Sequence, residues 1–508
     1  MKQTPKLSKS RIQSGRQCHK RLWLELHQPK TVAWTESAQA RMVEGTRFGE
    51  IARDLLGGGV LIEADHMHVH EALSDTAAAL ERPAESVPML FEPAFLHEDV
   101  RVRVDAFERH RDYDVLVEVK STTSVKEEHL WDCAIQTWVA RGAGRNVTRI
   151  MHGHINNQFV YRVEGDYRGL LKQVDITSGV EPLLPAIPDI VEELKRVAAA
   201  PMPAISTGSH CSEPYPCPFL DHCRSMEPAG PEFPIDLLPR AGALIDRLAA
   251  AGYRDLREVP VDELTNATHR RVAEATRSGS TFVSDELPDI LDAIPYPRYY
   301  VDFETISFVV PRWFGTRPFQ QLPFQFSCHV EERDGTLRHE AFLDVTGDSP
   351  LHGFVENLLR VLKSRGAVLV WSQGFEGACL RELAEMFPQH APALLAIIER
   401  MVDLLPIYRN HYYHRDMQGS WSIKAVLPTI APDLDYADLG VGDGSTAQAA
   451  YREAVDTETS TERRAELRDQ LLAYCERDTL AMVRLANWRP RTCRAYPRSA
   501  TPKSGKRV

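Results

Sequence analysis

Two groups of acidic residues are spaced so that each can hold a cation. In Arg298-Tyr299-Tyr300-Val301-Asp302-Phe303-Glu304-Thr305, Asp302 and Glu304 are two apart, so on a β-strand they leave from one face. Apolar side chains precede them, which marks a buried strand, and two like charges side by side there are costly unless a cation lies between them. Far downstream, Leu471-Leu472-Ala473-Tyr474-Cys475-Glu476-Arg477-Asp478 places Tyr474 and Asp478 four apart, on one face of a helix. Tyr474 can orient a water while Asp478 completes a metal site. Between them, Ser372-Gln373-Gly374-Phe375-Glu376 runs from the end of a strand into a helix and offers Glu376 as a further carboxylate.

The second group is Asp105 with Glu118-Val119-Lys120. Glu118 and Lys120 share a strand face, and a tight hairpin can bring Asp105 alongside. Two carboxylates can hold a divalent metal that polarises a phosphodiester, and an ammonium beside them can stabilise charge or position the attacking water. Taken alone, Glu-x-Lys also fits a cross-face ion pair on a surface strand. A third feature is Cys211-(x5)-Cys217-(x5)-Cys223; clustered cysteines in a cytosolic chain point to metal rather than to disulfides. Cys133, Cys328, Cys379, Cys475 and Cys493 stand singly and read as ordinary small residues.

The elements that must position these residues follow from periodicity. Helical patterning covers about residues 8 to 56, ending at Gly57-Gly58-Gly59, a turn that lacks the lysine and hydroxyl of a nucleotide loop. Alternation then predicts strands over 89–95, 100–107 and 113–120, a helix over 127–141 and a strand over 150–155. Residues 166–200 read as helical. Between Pro231 and Pro295 two helices, 237–251 and 261–278, form a hairpin. From Tyr299 come strands near 323–330 and 338–343, a helix to Arg365, a strand over 367–371, a helix from about Phe375 and one long helix over 461–487. The fold class expected is α/β, in four pieces: 1–230, a helical linker 231–296, 297–490, and a basic tail 491–508 expected to be disordered.

With 508 residues the chain exceeds a single core, and length favours about three domains. A hydrophobic content of 43% and a charged content of 26% are those of a soluble globular protein. No apolar run is long enough for a bilayer and the N-terminus lacks a signal-peptide core, so a cytoplasmic location without membrane partners is expected. The formal net charge of -11 argues against a general nucleic-acid coat but not against a local basic channel.

Asp105, Glu118 and Lys120 resemble the PD-(D/E)xK nuclease superfamily, and Gln136 on the following helix matches the glutamine of its RecB-like branch. That branch places one cysteine before the core and three after it, as in the CRISPR adaptation nucleases and the AddB nuclease; here Cys18 precedes, and Cys211, Cys217 and Cys223 follow. The resemblance implies a 4Fe-4S cluster clasping the two ends of the domain. The thiolates and their spacing also admit zinc, although the gaps lack the paired C-x2-C knuckles common in structural zinc sites. In place of the family's metal-binding histidine stands Gly49, with Glu50 beside it as a substitute ligand.

Asp302, Glu304, Tyr474 and Asp478 resemble the DnaQ-like, ribonuclease H-fold 3′-5′ exonucleases of the DEDD type with a terminal tyrosine. Their second motif ends Phe-Asp, where this chain has Phe375-Glu376. Ser422-Ile423-Lys424 matches a Ser-Leu-Lys segment of such domains, and Asp403 recurs near its place as a structural or supporting acid. The pairing of the two halves resembles an uncharacterised bacterial family. Together these resemblances imply a nuclease of exonuclease type, hydrolysing DNA or RNA with Mg2+ or Mn2+. Any helicase motor or repair or defence partner would be separate, since no phosphate-binding loop is present. The competing expectation is a non-catalytic nucleic-acid-binding or scaffold protein whose two sites have decayed.

Two further features carry other readings. His66, His68 and His70 alternate and can bind a transition metal if they share a strand face, but they read better as a solvated strand or loop. Trp313, Phe314, Phe319, Phe324 and Phe326 can stack on bases or fill a core.

Overall fold

The computed structural model describes residues 7–32, 36–65, 67–434, 436 and 440–489. The basic tail 491–508, Cys493 and His66 lie outside these. The chain is mixed α/β and divides into two compact units, one made of residues 1–228 with 307–320, the other of 229–306 with 321–508.

The first unit begins with β1 (Leu7–Ser8), α1 (Lys9–Gln17), α2 (His19–His27) and α3 (Glu36–Leu56), then β2 (Val60–Leu61) and α4 (Val69–Glu81). Five strands follow: β3 (Met89–Phe91), β4 (Ala94–His97), β5 (Val100–Arg103), β6 (Ala106–Arg109) and β7 (Asp114–Lys120). The segments expected as single strands over 89–95 and 100–107 are each broken. Glu92 sits at φ 58° before Pro93, and the chain bends opposite it at Val104 and Asp105, where Glu92 N–H bonds Asp105 O and Val104 N–H bonds Pro93 O. The outer halves peel away into a three-stranded sheet, β1-β5-β4, while the inner halves stay in a six-stranded one, β2-β3-β6-β7-β8-β9. Asp105 stands at that switch between sheets.

The six-stranded sheet is completed by α5 (Glu127–Gly142), β8 (Val147–Ile155), parallel to β7, and β9 (Leu171–Asp175). The helical expectation for 166–200 therefore fails in its first part: Leu171–Asp175 pairs with β8 and completes the sheet. Helix follows only in α6 (Thr177–Val180) and α7 (Ile187–Ala199), where Ile187, Val191, Leu194 and Ala198 recur at helical spacing and are buried. α8 (Leu220–Ser225) carries Cys223. Val69–Glu81 is helix, not strand, so His68 and His70 do not share a strand face.

Residues 307–320 pack into this same unit. Val310 is buried with Phe48, Ile155 and Leu170, Phe314 stacks on Tyr161, and the Arg312 guanidinium pairs with buried Glu44 at 3.0 Å. Of the five aromatics noted after Asp302, Phe314 is exposed, whereas Phe324 and Phe326 fill the core of the second unit.

The second unit opens with α9 (Gly242–Ala250), α10 (Ala267–Ser278), β10 (Phe282–Val283) and α11 (Leu287–Asp292). Its central sheet follows: β11 (Arg298–Ile306), β12 (Leu322–Glu331) and β13 (Leu337–Leu343), joined antiparallel, then α12 (Leu351–Val361), β14 (Ala367–Val370), α13 (Gln373–Met386), α14 (Ala391–Glu399) and β15 (Met401–Asp403). The strand order is β13-β12-β11-β14-β15, with β14 and β15 parallel to β11. Tyr299, Tyr300 and Val301 are buried, the mark of a central strand covered on both faces. The chain ends through α15 (Leu404–His411), β16 (Tyr412–Tyr413), α16 (Ile423–Ile430), α17 (Gly444–Ala454) and α18 (Thr461–Ala486). α18 is clamped to β12 and β13: Thr479 bonds both Ser327 and His329 at 2.8 Å, and Ser327 bonds His339 at 2.8 Å. Among the described residues no helix is long and apolar enough to cross a membrane.

Candidate functional site

In the second unit, residues far apart in sequence converge on the end of β11. Ligand atoms of Asp302, Glu304 and Cys475 lie within 4.8 Å of one another. The Cys475 thiol donates to Asp302 Oδ2 at 3.5 Å, and its neighbours on α18, Tyr474 and Asp478, are buried on the same helix. Asp302 is held well above the ordinary carboxylate range by burial and then by Asp478, Glu304 and Glu376. Burial and the Asp478 charge push Glu304 up to about 8. Glu376, on the first turn of α13, is 4% exposed, its Oε2 has no hydrogen-bond partner, and burial pushes it up to about 8. Four carboxyl groups packed this way resist ionising together, and a cation among them would relieve that cost.

Two residues outside the sequence-derived set complete this cluster. Lys424 donates to the Tyr474 oxygen at 3.0 Å and to Gly442 O at 2.6 Å, and the Tyr436 phenol donates to Asp478 Oδ1 at 2.6 Å. Lys424 lay in a segment singled out for its resemblance but not as a site residue. Tyr436 lies in an irregular loop with no periodicity to mark it. Asp403 does another job: Oδ1 caps Leu405 N–H at 3.0 Å and Oδ2 accepts the Gln373 N–H at 3.1 Å. One carboxylate thus pins the starts of α15 and α13, and so sets where Glu376 stands.

In the first unit the sheet brings Asp105, Glu118, Lys120 and Gln136 together. β6 pairs with β7 so that Ala106 faces Val117, which brings Asp105 beside Glu118, and Asp105 Oδ2 accepts the Val119 N–H at 2.7 Å. Glu118 is fully buried; its Oε1 takes the Lys120 ammonium in direct ion contact and Lys9 at 2.9 Å, and its Oε2 accepts from Gln136 at 2.6 Å. Burial alone would raise Glu118, but Lys120 and Lys9 hold it well below the carboxylate range. Asp105 moves the opposite way, up to about 7, through burial and the Glu118 charge. Asp132 closes the cluster, 3.0 Å from Lys120 and 3.4 Å from Lys9.

Lys9 and Asp132 are thus the residues missed here. Asp132 had a signal, lying four before Gln136 on one helix face. Lys9 had none, being separated from Glu118 by 109 residues. Glu50 is exposed on α3, with no hydrogen bond or ion pair to this cluster among the described residues, and a Cβ at Gly49 would meet nothing within 4 Å.

Cys18, Cys211, Cys217 and Cys223 line one small cavity. The segment that carries the last three is zipped to the N-terminal helices. Gln17 donates to the carbonyls of His210 (2.8 Å) and Tyr215 (2.7 Å), Lys20 to Ile205 O (3.1 Å) and Trp23 to Ala200 O (2.9 Å). Cys217 N–H bonds Cys211 O at 2.8 Å, closing a turn between the two cysteines. Among the described residues no three of these sulfurs lie within 4.8 Å of one another. Tetrahedral zinc with Zn–S near 2.3 Å would draw four sulfurs to about 3.8 Å apart.

A family model described as a domain of unknown function (DUF2779) matches residues 299–422. The matched stretch opens on β11 and ends at Ser422, so it holds Asp302, Glu304, Glu376 and Asp403 and stops before Lys424, Tyr474 and Asp478. Among curated relatives the chain is similar to an uncharacterised protein of Mycoplasma pneumoniae, 26% identical over 225 residues, covering 40% of this chain and 33% of the relative. Another, from Ureaplasma parvum, is 23% identical over 219 residues (38% and 31%), and one from Mycoplasma genitalium 20% over 266 residues (46% and 40%). The match thus spans 31 to 40% of these relatives' own length.

Proposed function

We propose that this chain is a metal-dependent nuclease that hydrolyses phosphodiester bonds of DNA or RNA, with a DnaQ-like exonuclease site in the second unit and a RecB-like site in the first. The observation that carries the reading is the convergence of Asp302, Glu304, Glu376 and Asp478, with the buried Glu376 Oε2 left without a partner. The four carboxylates are hard oxygen donors that suit Mg2+ or Mn2+, with the Cys475 thiol held on Asp302 rather than offered as a ligand. The order of the central sheet, three antiparallel strands flanked by two parallel ones, supports a ribonuclease H-like domain.

When bound, such ions supply Lewis-acid stabilisation of the phosphate and a lowered water pKa. The chain's own residues do the positioning. Lys424 fixes the Tyr474 oxygen from one side, so that the phenol is oriented beside Asp478 rather than free to rotate. Tyr436 keeps Asp478 biased toward its charged, ligating form despite its burial. In the first unit Gln136 and the two lysines hold Glu118 in one orientation.

For the clasp we propose a 4Fe-4S cluster, because Cys18, Cys211, Cys217 and Cys223 line one cavity and their order along the chain resembles that of the RecB-like clasp. A second reading applies to the first unit alone. There Lys9 and Lys120 already neutralise Glu118, and Glu50 stands outside the cluster, as expected of a strand-binding site that no longer cuts.

A cleavage assay with labelled DNA and RNA, comparing Lys120→Ala, Asp302→Ala and the double variant, tests both. Wild type is expected to cut only with Mg2+ or Mn2+, and Asp302→Ala to lose most of the cutting. No cutting by wild type above the double variant sinks the enzyme reading, and full activity in Lys120→Ala assigns binding alone to the first unit. Anaerobically purified protein is expected to be brown; a colourless, zinc-loaded preparation rules out the cluster.

A further inference from the structure

The loop between β8 and β9, together with residues 307–320, carries a row of aromatic rings apart from the acid–lysine cluster. Tyr167 and Tyr161 lie 5.1 Å apart with 9° between their planes, and Phe314 continues the row 5.4 Å from Tyr161 at 19°. Tyr161 is buried, yet Phe314 is 61% exposed. The row therefore ends in a ring with most of its surface in water. A lone surface aromatic is ordinary, but this one is held in place from both sides. Gly315 N–H donates to Tyr161 O at 2.8 Å, Tyr161 N–H to Thr316 O at 3.0 Å, and the Thr316 hydroxyl to Trp313 O at 2.6 Å. A ring fixed beforehand loses little freedom when another ring stacks on it.

The position of the row and the charges beside it narrow the occupant. Lys120 faces His154 across β7 and β8, and the loop leaves β8 after the next residue, Ile155. Val310 packs with Ile155, Arg312 pairs with Glu44 of α3, and a Cβ on the adjacent Gly45 would stand 3.9 Å from Ser121 Oγ. The row thus rises from the end of the sheet that carries Lys120. Residues 307–320 contain no carboxylate. In the loop Asp166 is taken by Arg168 at 2.6 Å, which leaves Glu164 as its free acid. Arg162 in the loop and Lys172 on β9 are exposed, and neither has an ion pair or a side-chain hydrogen bond among the described residues. Two free cations flanking a stacked row suit a strand whose bases are unpaired: the ring takes a base and the cations take phosphates. An aromatic side chain of a protein partner would use the ring but not the cations.

We propose that Phe314 is a stacking platform for one unpaired base of single-stranded DNA or RNA, with Arg162 and Lys172 on the phosphates and the strand directed toward Lys120. The base becomes the fourth ring of the row. This rests on the nuclease reading of the first unit and adds to it that single strands are the substrate.

The test is fluorescence-anisotropy binding of labelled oligonucleotides to the full chain in EDTA, so that nothing is cut. The probes are a DNA strand, an RNA strand, the matching duplex and a strand with abasic sites. Wild type is expected to prefer a single strand to the duplex. Phe314→Ala should weaken single-strand binding about tenfold, the scale of one base stack, while Phe314→Trp retains it and the abasic strand does not tell the variants apart. An effect on DNA alone or on RNA alone names the strand and upholds the platform. Should Phe314→Ala disturb the fold, the surface change Arg162→Glu decides, through weaker binding with a shallower salt dependence. Unchanged affinity in Phe314→Ala, or an equal loss on the abasic strand, overturns the proposal. So does a Phe314→Ala protein that binds normally but sediments as a smaller species, which assigns the ring to a contact between copies. Failure of the nuclease reading shows instead as Phe314-dependent binding with no cutting once Mg2+ is supplied.

Discussion

The Tyr436 phenol donates to Asp478 Oδ1 across 2.6 Å, joining an irregular loop to the middle of the longest helix in the second unit. Asp478 is raised by burial and lowered by this bond, so the phenol decides how readily the carboxylate ionises. A hydrogen bond to a charged group is worth about 1.5–3 kcal/mol. Tyr436→Phe should therefore weaken Mg2+ binding by roughly tenfold and shift the midpoint of its pH dependence upward. A calorimetric Mg2+ titration at several pH values checks this, and an unchanged midpoint would remove Tyr436 from the site.

Glu304 and Glu376 both titrate near 8 in the fold against an ordinary value of 4.5. Because the folded values are raised, the native state binds more protons than the unfolded chain between those limits. Stability without divalent ions is thus greatest below about 4.5 as far as these groups are concerned, and falls as pH rises to about 8. Mg2+ should restore it, more strongly at the alkaline end. Thermal unfolding across that window, with and without Mg2+, is the measurement; a Mg2+ increment independent of pH contradicts the assignment.

Glu44 holds Arg312 at 3.0 Å and accepts the Val309 N–H at 3.2 Å. Glu44→Gln keeps the shape and removes the charge, leaving a half-buried guanidinium uncompensated. The expected loss is about 1–3 kcal/mol, below the roughly 3–5 kcal/mol of a fully buried pair because Arg312 is partly solvated. Denaturant unfolding gives the number, and trypsin should cut sooner at Arg312 or Arg317 if residues 307–320 have loosened.

Two glycines should respond in opposite directions. Gly419 sits at φ 74°, and a Cβ there would collide with the Leu237 carbonyl, so Gly419→Ala should cost upwards of about 2 kcal/mol. Gly49 lies within α3 with open space where its Cβ would be, so Gly49→Ala should stabilise by about 0.5–1 kcal/mol. Paired thermal melts compare them directly.

Much of this arrangement was legible in the sequence because it rests on short periods. The period of two placed Asp302 and Glu304 on one strand face, and the four-residue step placed Tyr474 with Asp478. What escaped lies where no period reaches. Lys9 is brought to Glu118 by folding across 109 residues, and Tyr436 sits in a loop. The break at Glu92 and Asp105 was hidden because alternation continues through both, while a positive φ at Glu92 and the following proline divert the chain to another sheet. Asp403, read as a structural or supporting acid, gives its two oxygens to two helix starts.

Residues 307–320 have one more consequence. Each unit is discontinuous in the gene, since the chain leaves the second unit after Ile306 and rejoins it at Gln321. A fragment ending near residue 228 would lack Val310, the neighbour that covers Phe48, Ile155 and Leu170, and would carry a bare apolar patch. Expressing the halves apart would therefore yield two damaged proteins. A faithful dissection must graft those fourteen residues onto the N-terminal piece and bridge Ile306 to Gln321 in the other.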